Sequence, residues 1–237
     1  MELAFEPLHL QQKEEESFMI GISVAANKEW NYVKEYFSGS IKELSEYIYG
    51  EYFETQINDK TVLIYKCGAR KSNASASTQY IIDRFNPEKI ILIGTAAGVN
   101  NQYNLADILI PGTAIQGDGD FIEKGQTFRD RNIIHIDLSK YSVAGNVTIA
   151  SRDKPLVFKE DCELLGKYDV DICDMEAAPV ANICQLNNTE IVILKGISDF
   201  PGKYDPADER QYQEFVENVP KVMGKILNDY LCHFIQG

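Results

Sequence analysis

Short apolar runs alternate with amphipathic stretches along most of the chain. The runs have the length of buried strands, and the stretches between them place apolar residues at helical spacing. The predicted strands are 18–25, 61–67, 89–94, 107–111, 133–136, 143–150, 170–173 and 190–196. The predicted helices are 29–49, 74–85, 175–186 and 212–234. This alternation is typical of an α/β domain whose largely parallel sheet is covered by helices.

A single domain follows from the length and from the uniform pattern. The chain has 237 residues, and no segment rich in proline, glycine or serine divides it. Residues 1–17 end in a polar run without strand periodicity, which is compatible with a short helix. We therefore predict an N-terminal extension over 1–17 and one catalytic domain over 18–237.

The charge balance limits the kind of partner. The sequence has 36 acidic and 23 basic residues, so its formal net charge is −13. An acidic surface repels nucleic-acid phosphates and anionic lipid, and the longest apolar stretch, 90–99, is too short to cross a membrane. We expect a small-molecule partner, with no nucleic acid and no membrane.

The cysteines and histidines do not form a metal or redox motif. Five cysteines occur without a CxxC pair, and the three histidines are far apart in the sequence. The start of the chain also lacks the basic and apolar regions of a secretory signal. We expect reduced thiols, a cytoplasmic protein, and no metal or cofactor.

Acidic residues follow three of the predicted strands. Glu29 comes shortly after the first strand, Asp174 and Glu176 follow 170–173, and Asp199 follows 190–196. A single acid at such a place is usually solvated or caps a helix. Because the carboxyl ends of parallel strands meet at one edge of a sheet, three together indicate a ligand site there. The glycine-rich segment 94–98 is either a tight turn or a place where a flat ligand approaches the backbone.

Three motifs carry a resemblance to a known family. They are Asp174-Met-Glu-Ala-Ala-Pro-Val-Ala181, Lys195-Gly-Ile-Ser-Asp199 and Gly94-Thr-Ala-Ala-Gly98. In order and spacing they resemble the nucleoside phosphorylase superfamily, and most of all its 5′-methylthioadenosine/S-adenosylhomocysteine nucleosidases. The resemblance implies a single-domain α/β fold with a central mixed, partly barrel-like β-sheet flanked by helices. It also implies hydrolysis of a purine nucleoside to free adenine and a thioribose, in methionine salvage.

The same resemblance assigns roles to individual residues. Asp199 is expected to protonate the purine near N7, with Ser198 holding it, and Glu29 to orient and activate water. Glu176 is expected to bind the ribose hydroxyls, and Met175 to pack on the sugar. The other residues expected to bind substrate are Thr95, Ala96, Ile149, Asp174 and Tyr212. Tyr212 falls near the pocket for the 5′ substituent.

The choice between hydrolysis and phosphorolysis depends on cations. Phosphorylases of this superfamily place an arginine in the strand before the Gly-Thr segment, where this chain has Leu92. A carboxylate such as Glu29 disfavours bound phosphate but can take a proton from water. Arg70 and Lys71 form the one basic pair that could still bind phosphate. We therefore predict hydrolysis.

Two alternatives remain open. One is a phosphorylase for purine or pyrimidine nucleosides that uses Arg70 or another cation. The other is a non-catalytic nucleoside-binding protein, because the stretch 147–149 has no aromatic residue to stack on a base. The resemblance also implies a homodimer, with the segment 116–120 at its interface.

Overall fold

A mixed β-sheet with helices packed against it forms the centre of the molecule. The structure is a computed structural model, and it describes residues 19–100, 102–118, 133–203 and 209–237. Its strands are β1 (Met19–Val24), β2 (Ser45–Tyr47), β3 (Gly50–Ile57), β4 (Lys60–Lys66), β5 (Lys89–Gly98), β6 (Ile108–Leu109), β7 (Pro111–Gln116), β8 (Ile133–His135), β9 (Val147–Ser151), β10 (Ile172–Asp174) and β11 (Glu190–Asp199). Its α-helices are α1 (Asn27–Tyr36), α2 (Lys71–Phe85), α3 (Lys159–Gly166), α4 (Ala177–Leu186), α5 (Arg210–Lys225) and α6 (Leu231–Gln236).

Two parallel groups of strands, β4-β1-β5-β11 and β10-β9-β7, meet at the short antiparallel pair β5–β10. The strand order is β2-β3-β4-β1-β5-β10-β9-β7-β8, with β11 beside β5 and β6 beside β11. Strand β1 runs parallel to β4 and β5, and β5 runs parallel to β11. The pairs β2–β3, β3–β4 and β7–β8 are antiparallel. The predicted α/β class with a central mixed sheet flanked by helices is confirmed.

Strand β5 joins the two halves of the sheet. Over most of its length it lies between β1 and β11, but its last residues, Ala97 and Gly98, pair with Cys173 and Ile172 of β10. The carboxyl ends of β1, β5 and β11 and the end of β10 therefore meet at one place. Glu29 lies shortly after the end of β1, Asp174 and Asp199 are the last residues of β10 and β11, and Glu176 comes two residues after β10.

The inner strands are apolar on both faces, as buried parallel strands must be. Ile20, Ile22 and Val24 of β1 are fully buried, and the central residues of β4, β5 and β11 are buried in the same way. All five cysteines are free thiols, and only Cys232 is exposed. No helix in the described ranges is both long enough and apolar enough to cross a bilayer.

The first predicted helix is wrong in its second half. Helix α1 ends at Tyr36, and Ser45–Tyr47 is a strand, where the sequence predicted helix up to residue 49. The segment Ser38-Gly39-Ser40 explains the break, because serine and glycine favour turns over helix. Leu44 and Ile48, which extended the helical pattern, are 41% and 81% exposed. Surface apolar residues therefore produced a false periodicity.

The glycine-rich segment 94–98 is strand, not a tight turn. Strand β5 continues to Gly98 and β11 to Asp199, because the two pair along this whole length. Other differences are smaller. Strand β3 and helix α3 were not predicted, the stretch 107–111 is divided between β6 and β7, and a π-helical turn (Ile226–Tyr230) separates α5 from α6. The predicted extension, 1–17, lies outside the described residues.

The buried inner strands should carry most of the stability. Replacing Ile193, which is fully buried in β11, by alanine should lower the free energy of unfolding by about 2–5 kcal/mol, because it leaves a cavity. The control Ile48→Ala removes the same atoms from an exposed side chain and should change it by less than about 0.5 kcal/mol. Urea unfolding measures both, and equal losses would contradict this assignment of the core.

Candidate active site

One cavity of about 520 Å³ opens at the carboxyl ends of the central strands. Its walls come from the segments after β1, β9 and β10, from the ends of β5 and β11, and from the first turns of α5. Glu29, Glu176 and Asp199 all line it. The structure therefore brings the three acids of the sequence analysis to one place.

Glu29 is buried and held by three hydrogen bonds. Its Oε1 accepts from the backbone N–H of Thr95 at 2.6 Å and from the Thr95 hydroxyl at 2.7 Å. Its Oε2 accepts from the backbone N–H of Ala26 at 3.0 Å. Gly94 makes this arrangement possible, because a Cβ there would lie 2.9 Å from Oε1. The glycine of the motif thus leaves room for the Glu29 carboxylate, which comes from the first turn of helix α1.

Glu176 lies at the N-terminus of α4 and is buried at the wall of the cavity. Its Oε1 accepts a hydrogen bond from the backbone N–H of Arg70 at 2.9 Å. Burial raises the pKa of Glu176, and the nearby Asp174 carboxylate raises it further, while Lys195 opposes both. This carboxyl group therefore holds its proton more tightly than an exposed glutamate.

Asp174 faces the interior of the protein. Lys195 Nζ lies 3.0 Å from its Oδ2, and the Ser151 hydroxyl donates to Oδ1 at 2.6 Å. The backbone N–H of Ala177, in the first turn of α4, donates to both oxygens at 3.0–3.1 Å. Burial lowers the pKa of Lys195, but Asp174, Glu176 and Glu29 together raise it above its ordinary value. Lys195 is therefore the cation that offsets part of this acidic cluster.

Asp199 ends β11 and accepts hydrogen bonds on both oxygens. The Ser198 hydroxyl donates to Oδ1 at 2.6 Å, and the Gln211 amide donates to Oδ2 at 2.8 Å. Burial raises the pKa of Asp199, and the two hydrogen bonds lower it only in part. A raised pKa is what a general acid needs near neutral pH.

Of the remaining residues predicted to bind substrate, all but Ile149 line the cavity. Met175, Ser198, Thr95 and Ala96 line the cavity together with Asp174 and Tyr212. Tyr212 is 58% exposed at the rim, and its ring centroid lies 5.8 Å from that of Phe215. Ile149 is not among the lining residues. It is fully buried inside β9, where it pairs with Ile172 and Ala114.

Sequence reasoning missed an apolar wall of the cavity. The residues that it did not name are Ala26, Ala69, Ala97, Pro155, Leu156, Val157, Cys173, Glu209, Gln211 and Phe215. The segment 155–157 follows β9 just as the acids follow the other strands. Ligands in such sheets bind beyond the carboxyl ends of the strands. Applied to β9, this tendency would have indicated the segment 155–157 in place of Ile149.

Among the described residues, no lysine or arginine side chain lines the cavity. Arg70 contributes a backbone N–H, and Lys71 pairs with Asp118 at 2.8 Å. Lys195 lies behind Asp174. The basic pair that could have bound phosphate thus contributes no side chain to the described wall. In the same ranges, no group of three or more histidines, cysteines and acids could hold a metal ion.

Comparison with known proteins identifies the family. The sequence profile of the phosphorylase superfamily matches residues 20–232. The chain belongs to the phosphorylase superfamily. A superfamily relative from Hydrogenovibrio crunogenus, a 5′-methylthioadenosine/S-adenosylhomocysteine nucleosidase, is 30% identical over 192 residues, which are 73% of this chain and 83% of the relative. A nucleosidase of the same name from Bacillus licheniformis is 31% identical over 183 residues, covering 68% and 77%.

Solved structures in the phosphorylase superfamily show the same fold. The Helicobacter pylori 5′-methylthioadenosine/S-adenosylhomocysteine nucleosidase superposes with a TM-score of 0.77 at 21% identity, covering 93% of this chain and 99% of its own. The futalosine hydrolase of Helicobacter pylori gives 0.78 at 20% identity, covering 94% and 100%. The predicted family is confirmed by the sequence relatives, and the predicted fold by these structures.

The Lys195–Asp174 pair should be essential to the stability of this phosphorylase-superfamily domain. Lys195→Met leaves a buried, unpaired carboxylate, so the free energy of unfolding should fall by about 3–5 kcal/mol. Adding Asp174→Asn should recover part of this loss. Lys159→Met, which breaks the exposed pair with Glu163, is the control and should cost less than about 1 kcal/mol. A loss after Lys195→Met no larger than the control's, by urea unfolding, would refute the role of the pair.

Proposed function

We propose that this chain hydrolyses the N-glycosidic bond of 5′-thio-substituted adenosines, namely 5′-methylthioadenosine and S-adenosylhomocysteine, to adenine and the thioribose. The observation that carries the proposal is a single cavity lined by Glu29, Glu176 and Asp199, whose described wall has no cationic side chain. The two nucleosidase relatives at 30% and 31% identity support the choice of substrate.

The charge of the cavity suits this reaction. Breaking the bond between ribose and base places positive charge on the sugar, in an oxocarbenium-like transition state. An ionised carboxylate fixed beside the sugar stabilises that charge as it forms. A carboxylate in the same place repels a phosphate dianion, which a phosphorylase has to bind next to the sugar. Water is therefore the favoured nucleophile.

Asp199 is the proposed general acid. Its raised pKa keeps a proton on the carboxyl at higher pH than usual, and this proton passes to the leaving purine, near N7. The Ser198 hydroxyl, bound to Oδ1, orients the group and stabilises the carboxylate that remains after transfer.

Glu29 is the proposed anchor for the attacking water. A carboxylate has about four acceptor positions. Thr95 occupies both positions on Oε1, and Ala26 occupies one on Oε2. One acceptor position on Oε2 is left, which supports a role in orienting a single water molecule and receiving its proton.

Glu176 is the proposed anchor for the ribose hydroxyls. Its Oε1 is bound by the backbone of Arg70, and no donor among the described residues contacts its Oε2. That oxygen is suited to accept from the 2′- and 3′-hydroxyls. We infer that Met175, between the two acids of its motif, packs on the sugar, and that Tyr212 at the rim borders the 5′ substituent.

We further propose that the chain acts as a homodimer in the cytoplasm, in methionine salvage. The five free thiols support a reducing compartment. The segment 116–120, expected at the dimer interface, is described only as far as Asp118.

Phosphate dependence tests the reaction. With 5′-methylthioadenosine or S-adenosylhomocysteine, we expect free adenine and the thioribose at the same rate with and without inorganic phosphate. Adenosine and inosine in parallel assays measure the need for the 5′-thio group and the amino base. Base release that requires phosphate would show a phosphorylase, and tight nucleoside binding without product would show a binding protein. Liquid chromatography of the products distinguishes these outcomes.

Removing the acid tests its role. Asp199→Asn keeps the shape of the side chain but cannot supply the proton, so turnover should fall by about two decades or more. Asp59→Asn, the same change at an exposed turn, is the matched control and should leave turnover unchanged. Circular dichroism checks the fold of both proteins. Near-wild-type turnover of Asp199→Asn would eliminate Asp199 as the acid.

A further inference from the structure

Gln211 contacts the proposed acid and a second wall of the cavity at once. Its side-chain Nε2 donates to Asp199 Oδ2 at 2.8 Å and to the backbone carbonyl of Leu156 at 2.8 Å. A primary amide has two N–H donors, and each has a partner here. Both N–H donors are therefore used in joining β11 to the segment that follows β9.

The three segments joined in this way are far apart in the sequence. Gln211 lies in the first turn of α5, Asp199 ends β11, and Leu156 belongs to the irregular segment 155–157. Asn218, two turns further along α5, donates to the Ser198 carbonyl at 2.9 Å and fixes the helix against the same strand end. Gln211 thus connects the proposed acid to the apolar wall formed by 155–157.

We propose that Gln211 is a positioning residue for Asp199, which holds the carboxyl group in one orientation and at a fixed distance from the Leu156 wall. The inference rests on the proposed function of Asp199 as the acid. Gln211 itself takes no part in proton transfer, because its amide only donates to groups that stay in place.

The hydrogen bond is compatible with delivery of the proton. A protonated carboxyl oxygen still has a lone pair, so Gln211 can remain bound to Oδ2 while that oxygen donates to the base. After transfer both oxygens carry negative charge, and the hydrogen bonds from Ser198 and Gln211 become charge-assisted and stronger. Gln211 therefore stabilises the state in which the base has received the proton.

Several groups near Asp199 affect its pKa and have to be considered in a pH experiment. Burial raises the pKa of Asp199, Ser198 and Gln211 lower it by donating to the carboxylate, and Glu214 of α5 raises it. Cys162 of α3 also faces it, but burial raises the pKa of that thiol to about 11, so it stays neutral below that pH. Removing the Gln211 donor should therefore raise the pKa of Asp199.

The first test needs no catalysis. The carboxyl ¹³C resonance of Asp199, assigned with Asp199→Asn, is titrated in the free protein. We expect a higher pKa of Asp199 in Gln211→Met and in Gln211→Leu, because both changes remove the two N–H donors without adding a charge. Gln213→Met, an exposed neighbour in the same helix turn, is the control and should titrate like the wild type. An unchanged Asp199 pKa in both Gln211 variants would overturn the proposal.

The second test uses turnover of 5′-methylthioadenosine. In Gln211→Met we expect kcat to fall about tenfold with KM changed by less than about twofold, since one hydrogen bond to a charged group is lost. The decline of kcat at high pH should move to higher pH. A raised KM with unchanged kcat would show that Gln211 binds substrate instead. If the wild type releases no base while the ¹³C titration behaves as expected, the proposed function fails and the positioning role stands.

Discussion

Several carboxyl groups have to be kept close together, away from water, in one small cavity. The molecule does this mainly with neutral backbone donors from Thr95, Ala26 and Arg70. The buried cation Lys195, which offsets part of the charge, pairs with Asp174. Cations inside the cavity would have offset the charge more directly, but they would also have attracted anions and opposed positive charge on a sugar. Because the donors are neutral, the described wall of the cavity stays acidic. An acidic wall favours positive charge on a sugar and disfavours bound phosphate.

This arrangement reduces stability. Burial raises the pKa of Glu176 and of Asp199, so between the ordinary and the raised pKa the folded state binds more protons than the unfolded state. Stability contributed by these groups is complete at low pH and is lost as pH rises through that window. The apolar inner strands, with residues such as Ile193, have to provide the compensating free energy. The raised pKa values that suit these acids to proton transfer therefore also reduce the stability of the folded protein.

Sequence reasoning predicted the features that depend on local pattern. Long apolar runs predicted β1, β4, β5 and β11. The tendency of ligands to bind beyond the carboxyl ends of strands predicted that Glu29 and Asp199 lie in one site. Sequence reasoning failed where contacts between distant segments determine the structure. Nothing local shows that β5 and β11 pair through the glycine-rich segment, and exposed residues such as Ile48 imitated a helix. Ile149 was named in place of the residues just after its strand, and Gln211 has no motif, since its importance comes from contacts with distant segments.

In the proposed complex one nucleoside lies among three carboxyl groups, with water and not phosphate below its sugar. A crystal structure of the Asp199→Asn protein with 5′-methylthioadenosine bound, grown in phosphate buffer, tests this directly. We expect Glu176 within hydrogen-bonding distance of the 2′- and 3′-hydroxyls, residue 199 beside N7 of the purine, and a water molecule held by Glu29 below the anomeric carbon. A nucleoside bound in another cavity, or a phosphate ion below the sugar, would contradict it.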